Sequence, residues 1–416
     1  MGEVTRGYRI RAYPNGAQRR LLDRWFGATR WLWNTALDIR SEGHRHFQLR
    51  LSGNDISKWL TQWKRTPGHE CLAEIPATCL TQCLRDQDRA FTHFFAKRAR
   101  YPQFKPKAHA AALRFQDVSE SSWASGQVSL PKLGRLKLAE ALPDVATPDT
   151  VTLTRDAAGR YFVSFKAEVV VETLPATNKA VGVDLGLKHL ATLSSAEKVP
   201  APRHYANRLR YLRRQQRSLA RRQKGSNRRN RQRVKVARAH ARVADARTHG
   251  LHELTTRLVR EFDTICIEDL NVKALGRGLH SRSIHDAAFG EFRRQLRYKT
   301  QWYGKTLIEV GRFYPSSKLC SNCGHVLDEL RFDQRQWTCP KCGTAHDRDL
   351  NAAKNLEREG LRIFARPPLP AGSDCRSHAR GRERYMPGAY APGQVLPIEA
   401  RSGQSITTGS EPVAIE

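Results

Sequence analysis

Four cysteines, Cys320, Cys323, Cys339 and Cys342, form two C-x-x-C pairs with 15 residues between the inner members. Each pair can turn both thiolates toward one tetrahedral ion, and Gly324 and Gly343, which follow directly, permit the tight backbone path of such a knuckle. The spacing is that of a four-cysteine zinc site. With sulfur at all four positions no place is left for water or substrate, so the expected zinc is structural and single. A redox pair is the competing reading, but a redox motif has no reason to be duplicated with knuckle glycines. His346 falls outside the set and is not expected to be a ligand. The other five cysteines, Cys71, Cys79, Cys83, Cys266 and Cys375, show no ligand spacing and read as core or incidental thiols.

Three acids suggest a second chemistry. Asp184 closes the apolar run Ala180-Val-Gly-Val183 and is followed by Leu185-Gly186. Glu268 closes Thr264-Ile-Cys-Ile267 and precedes Asp269-Leu-Asn271. Asp349 lies in His346-Asp-Arg-Asp-Leu-Asn-Ala-Ala-Lys-Asn355, whose alanines suit a helix packed closely on a sheet. Taken singly, each acid reads as a turn residue or a cap. Together, two carboxylates at strand ends and a third at a helix start are how an RNase H-like sheet gathers divalent ions. Two such ions, Mg²⁺ by expectation, activate a water and stabilise the leaving oxygen in phosphodiester hydrolysis. Asp347 and Asp349 would point about 200° apart on a helix, so only one of them can face the metals. Glu268 and Asp269 likewise face opposite sides if the strand continues.

Positioning elements must surround these residues, and the rest of the chain is charged in a telling way. Lys and Arg outnumber Asp and Glu by 72 to 40, a formal charge of +32 over 416 residues. So large an excess calls for a polyanionic partner, nucleic acid first. No apolar signal segment or run long enough to span a bilayer is present, so the expected setting is the cytosol, with no membrane partner. The length suits two or three domains.

Tyr8 to Tyr13 alternates, and Pro14-Asn15 introduces a helix carrying Leu21, Leu22, Trp25 and Phe26; helices then dominate to about Arg100. Between Gln127 and Glu172 the period becomes two, with Val128 and Leu130 facing Leu136 and Leu138, and Val151 and Leu153 facing Tyr161, Val163 and Phe165. Hairpins of a small antiparallel barrel are expected there, and a linker over Leu174–Asn178. A strand over Ala180–Asp184 should pair with one over Lys188–Ser194. Arg203 to Arg260 holds 19 Lys or Arg against Asp245 and Glu253, a net +17 and more than half the total excess. It reads as a helical hairpin with a turn over Lys224–Asn230 and a second helix from Val234, its basic face turned to nucleic acid. From Arg366 to Glu416 Pro, Gly, Ser and Arg prevail without hydrophobic period, and a disordered tail is expected.

Val183-Asp-Leu-Gly186, Ile267-Glu-Asp-Leu-Asn271, the four-cysteine ribbon and Asp347-Arg-Asp-Leu-Asn-Ala-Ala353, in that order, resemble TnpB proteins, transposon-encoded RNA-guided endonucleases related to type V CRISPR effectors. Tyr8-Arg-Ile-Arg-Ala-Tyr-Pro14 with its aromatic-rich helix is similar to the family's start. The resemblance implies an α+β multidomain chain. An N-terminal antiparallel wedge barrel (1–13 and 110–178) would be interrupted by a helical recognition region (14–109). A RuvC-like, RNase H-type α/β nuclease domain (179–314 and 346–365) would carry an inserted zinc ribbon (315–345) ahead of the tail (366–416). Asp184, Glu268 and Asp349 match the family's catalytic, Mg²⁺-binding trio, which favours Asp349 over Asp347 and leaves Asp347 as the cap. The implied partners are a guide RNA from the chain's own element and a double-stranded DNA target with its displaced single strands, bound by a monomer. A transposase that joins strands itself and a guided repressor that does not cut are the competing readings.

Overall fold

Strand β1 (Gly2–Tyr13) opens the chain in the computed structural model, which describes residues 2–107, 111–116, 118–143, 148, 150–331 and 333–365. The expected tail, 366–416, lies outside the described residues. Asn15 then caps α1 (Gly16–Phe47) in a reciprocal box, its Oδ1 accepting from Gln18 N at 2.9 Å while Gln18 Oε1 accepts from Asn15 N at 3.0 Å. Helices α2 (Gly53–Trp63), α3 (Cys71–Glu74) and α4 (Ala77–Phe95) follow. Leu22, Trp25 and Leu32 of α1 and Leu80 and Leu84 of α4 are buried together with the apolar face of the sheet that comes next.

That sheet is built from β1 and from β2 (Ala111–Phe115), β3 (Trp123–Ala124), β4 (Gln127–Leu130), β5 (Gly134–Leu138), β6 (Val151–Arg155) and β7 (Tyr161–Val171). The strands run antiparallel in the order β2-β6-β7-β1-β5-β4-β3, so the chain's first strand sits at the centre of a sheet whose other members come a hundred residues later. Where a barrel was expected, hydrogen bonding among the described residues gives one seven-stranded sheet with β2 and β3 at its ends. The register follows the period-two pattern, with Val151 opposite Phe165, Leu153 opposite Val163 and Val128 opposite Leu136.

A second sheet holds β8 (Ala180–Leu185), β9 (His189–Leu193) and β10 (Lys198–Pro200). The basic hairpin follows as α5 (His204–Ala220) and α6 (Asn227–Glu261). The second helix of that hairpin starts at Asn227 rather than Val234, because Ser226 Oγ caps it by accepting from Arg229 N at 3.1 Å. After β11 (Thr264–Glu268) come α7 (Val272–Leu275), α8 (Ser281–Ala287), α9 (Phe289–Tyr303) and β12 (Thr306–Val310). The small hairpin of β13 (Gln336–Thr338) and β14 (Ala345–Asp347) leads into α10 (Arg348–Phe364). In the five-stranded sheet, ordered β10-β9-β8-β11-β12, β11 is parallel to both β8 and β12. Among the described residues no helix is long and apolar enough to cross a membrane.

Side-chain alternation splits this sheet into two faces. Val181, Val183, Ile265 and Ile267 point into a core with Leu251, Leu254 and Leu258 of α6 and Phe292 and Leu296 of α9. Gly182 and Cys266, one residue out of phase, face α10 instead. A Cβ on Gly182 would stand 1.9 Å from the Ala353 carbonyl oxygen, and one on Gly360 would stand 2.2 Å from Cys266 Sγ, so α10 lies on the sheet at backbone distance. Gly182→Ala is therefore expected to destabilise the chain by about 3 kcal/mol, because the atom it meets is backbone and cannot rotate away. A lowered denaturation midpoint checks this; an unchanged midpoint would show that α10 has room to shift.

Candidate metal centres

Asp184 and Glu268 follow Val183 and Ile267, which stand opposite one another in the parallel register, so the two acids leave adjacent strands at the same level. Each lies two residues beyond a position that touches α10, Gly182 or Cys266, and so projects on the α10 face. Asp349 sits in the first turn of α10, where a carboxylate is favoured by the helix dipole. Packing of α10 on β8 thus carries the third acid to the other two.

Their environment is that of a like-charge cluster only partly offset by nearby arginines. Burial pushes the Asp184 carboxyl well above the ordinary carboxylate range, and the charges of Asp349 and then Glu268 push in the same direction against Arg348 and Arg335. Burial also raises Glu268, with Asp269 adding to it. Among the described residues neither Asp184 nor Glu268 carries a side-chain ion pair. Hard carboxylate oxygens with no cation of their own are donors that suit Mg²⁺.

The neighbouring acids are engaged elsewhere. Asp347 is the N-cap of α10, its Oδ1 accepting from Asp349 N and Leu350 N at 3.1 Å each, and its Oδ2 takes Lys198 Nζ at 2.7 Å. Burial acts upward on this carboxyl, yet Lys198 and the helix N–H groups hold it below its usual range. Asp269 binds Arg293 and Arg312 at 2.6 Å each. Among the described residues Asp349 has a single ion pair, to Arg335 Nη1 at 3.1 Å.

Arg335 belongs to the segment between the two cysteine pairs, so the cysteine-rich insertion reaches the acids directly. In that insertion the Cys320–Cys342 and Cys323–Cys339 sulfurs are each 3.6 Å apart. A tetrahedron of zinc–sulfur bonds requires about 3.8 Å, so the four thiols fit zinc. Among the described residues they are the group of potential ligands whose donor atoms all lie within 4.8 Å of one another; the three acids are gathered less tightly. The two knuckles share one construction: Gly324 N donates to Cys320 O at 3.0 Å and Gly343 N to Cys339 O at 2.9 Å, both glycines at positive φ. Thr344 stabilises the Cys342 thiolate, whose pKa falls to about 5. His346, buried against Trp337, places Nε2 3.1 Å from Cys320 Sγ.

Two buried asparagines tie this insertion to α10. Asn351 Nδ2 donates to Leu319 O at 2.7 Å while its Oδ1 accepts from Ser321 N at 2.9 Å, and Asn355 Nδ2 reaches Ser316 O at 2.8 Å and Leu319 O at 2.6 Å. The loop entering the first knuckle is thereby fixed beside Asp349. Reading the residues alone did not identify Arg335, Asn351 or Asn355 as functional; the one available signal was the i, i+4 spacing of the asparagines on an otherwise apolar helix face.

A mixed α/β chain with a carboxylate cluster on a mixed sheet and a four-cysteine centre feeding the third acid is the class defined so far. Three family models match it: one described as "Probable transposase" over residues 162–277, one as "Cas12f1-like, TNB domain" over 289–356, and one as "Helix-turn-helix domain" over 1–48. The last span folds here as one strand and one long helix. A "Putative RNA-guided DNA endonuclease" of Streptomyces pristinaespiralis is 43% identical over 369 residues, 88% of this chain and 92% of the relative. A protein of Escherichia coli K12 given the same description and called InsQ is 30% identical over 375 residues, 86% of this chain and 93% of the relative. The fold resembles that in the cryo-EM structure of a Cas12f1–sgRNA–target DNA complex, with a TM-score of 0.52 at 11% identity, covering 85% of this chain and 99% of that one. The chain belongs to the TnpB family.

Proposed function

We propose that this chain is an RNA-guided, metal-dependent DNA endonuclease encoded by a transposable element. The observation that carries the proposal is the convergence of Asp184, Glu268 and Asp349 on one face of the five-stranded sheet, the first two without an ion pair among the described residues. In this reading the seven-stranded sheet takes the place of the wedge barrel, α1 to α4 are the recognition region, the five-stranded sheet with α10 the RuvC-like domain, and residues 315–345 the zinc ribbon.

Divalent ions bound by the three acids would supply water activation and charge neutralisation at the scissile phosphate. The chain's residues do the positioning. β8 and β11 fix two carboxylates in register, Asp347 orders the first turn of α10 so that Asp349 faces them, and Arg335 brings a guanidinium from the ribbon to the same place. The fork of an arginine suits a phosphate oxygen as well as a carboxylate. The hairpin of α5 and α6, net +17 over Arg203–Arg260, supplies the charge that holds nucleic-acid backbone, while base pairing to a guide reads the sequence. The protein acts as a monomer in the cytosol.

The match to a family described as a probable transposase favours one alternative, direct strand joining at element ends. Sequencing the RNA that copurifies with the chain separates the two. A discrete RNA species derived from the flank of its own gene is expected, and an RNA-free protein that binds element ends would overturn the proposal.

A further inference from the structure

His346 stands on β14 directly opposite Trp337 of β13, and the centroids of the two rings lie 4.6 Å apart. The histidine is 8% exposed, so strand pairing and ring packing together fix where its edge points. That edge meets Cys320, with Nε2 3.1 Å from Sγ. The four cysteine sulfurs form a group within 4.8 Å of one another that does not include His346, so the imidazole stands beside the ligand set and not in it.

A zinc-bound thiolate has no proton to give. The contact can then be kept only with the proton on Nε2, the imidazole donating and the sulfur accepting. The sulfurs differ in their need for such a donor. Cys342 is exposed, where water can solvate its charge, and Thr344 Oγ1 lies 3.3 Å from its sulfur. Cys320 is fully buried, and the charge on a buried sulfur has to be met from inside the protein. Among the described residues the nitrogens within reach of it are Cys323 N, at 3.5 Å, and His346 Nε2.

We infer that His346 donates a hydrogen bond to the Cys320 thiolate of the zinc-loaded ribbon, and that this bond shields the sulfur and anchors the metal to the strand leading into α10. The inference rests on the four-thiol zinc site described above. An N–H donor draws charge away from a thiolate, which makes the sulfur a poorer nucleophile and slower to be modified and lost from the metal. The residue after His346 is Asp347, whose Oδ1 accepts from Asp349 N and Leu350 N. A restraint on the imidazole therefore acts one peptide away from the cap that orders the first turn of α10.

The experiment compares the full wild-type chain with His346→Phe, which keeps a ring against Trp337 and removes the donor, and with His346→Gln, whose amide N–H can take the place of the ring N–H. Each is loaded with zinc for competition against a chromogenic chelator and, separately, with cobalt for its absorption spectrum. His346→Phe is expected to hold zinc on the order of tenfold more weakly. Its thiolate-to-cobalt charge-transfer band should move to longer wavelength, because a sulfur without its hydrogen bond gives up an electron more easily. His346→Gln should recover most of the affinity and the band position. Under N-ethylmaleimide Cys342 should be modified first in the wild type, and Cys320 should be reached sooner in His346→Phe. Hydrogen exchange over residues 347–350 should quicken in zinc-loaded His346→Phe and stay slow in His346→Gln; exchange as slow as in the wild type in both variants would overturn the anchoring. Wild-type affinity and band position in His346→Phe would overturn the donor, as would a glutamine variant that behaves like the phenylalanine one, since packing of the ring would then account for the whole effect. If His346→Phe fails to fold, the wild-type chain loaded with cadmium-113 decides: a His346 ring N–H proton coupled to the metal through the sulfur is expected, and its absence would overturn the inference. A wild-type chain that holds no metal would overturn the zinc site and the donor together.

Discussion

Asp184→Asn is expected to lower RNA-dependent DNA cleavage on the order of a thousandfold while raising the melting temperature. The loss follows from removing one carboxylate of the proposed metal site. The gain follows from its surroundings, since Asp184 is half-buried beside Asp349 and Glu268 and holds its proton well above the usual carboxylate range. A carboxyl whose pKa is raised by folding does not affect stability below the unfolded value of about 3.9, where both states carry the proton. Its destabilising effect grows as pH rises toward the folded value and is complete above it. Melting temperatures from mildly acid to neutral pH should therefore fall more steeply for the wild type than for the asparagine variant, in magnesium-free buffer. A variant that melts lower than the wild type at neutral pH would show that the carboxylate is structural.

Cys339→Ser is expected to lose the zinc and nearly all cleavage, while the five-stranded sheet stays folded. Structural zinc in isolated four-ligand modules contributes about 10–16 kcal/mol, more than a short ribbon can replace. Its hydrophobic cluster consists of Cys320, Trp337 and Cys339 with a few partly buried neighbours, and two of those three are proposed zinc ligands. The consequence for catalysis runs along two paths: Arg335 departs from Asp349, and the loop that Asn351 and Asn355 bind loses its second anchor. Metal analysis, limited proteolysis of the ribbon and cleavage should change together. Intact cutting by a zinc-free protein would refute the coupling.

The parts of this architecture that were legible in the sequence are those written in local patterns. Strand ends at Asp184 and Glu268 show because short apolar runs stop at an acid, and the alanines of α10 show because only small residues let a helix reach backbone distance. Angular geometry on a helix lets only one of Asp347 and Asp349 face the metals, the family resemblance leaves Asp347 as the cap, and two backbone donors meet it there. What escaped the sequence is non-local. Nothing near Arg335 marks it as a partner of Asp349, because the contact exists only once the ribbon folds back on α10. The place of β1 between β7 and β5 depends on pairings across more than a hundred residues. His346 was excluded as a zinc ligand by spacing, and no spacing rule could show that it lies beside Cys320.

Cleavage of a plasmid matched to the copurified RNA, by the full chain with magnesium, tests the central claim most directly. Cutting at the matched site is predicted, dependent on RNA and on divalent metal, absent from a plasmid with a scrambled target, and absent with Asp184→Asn. Cutting that ignores the RNA sequence, or that survives loss of Asp184, would contradict the account.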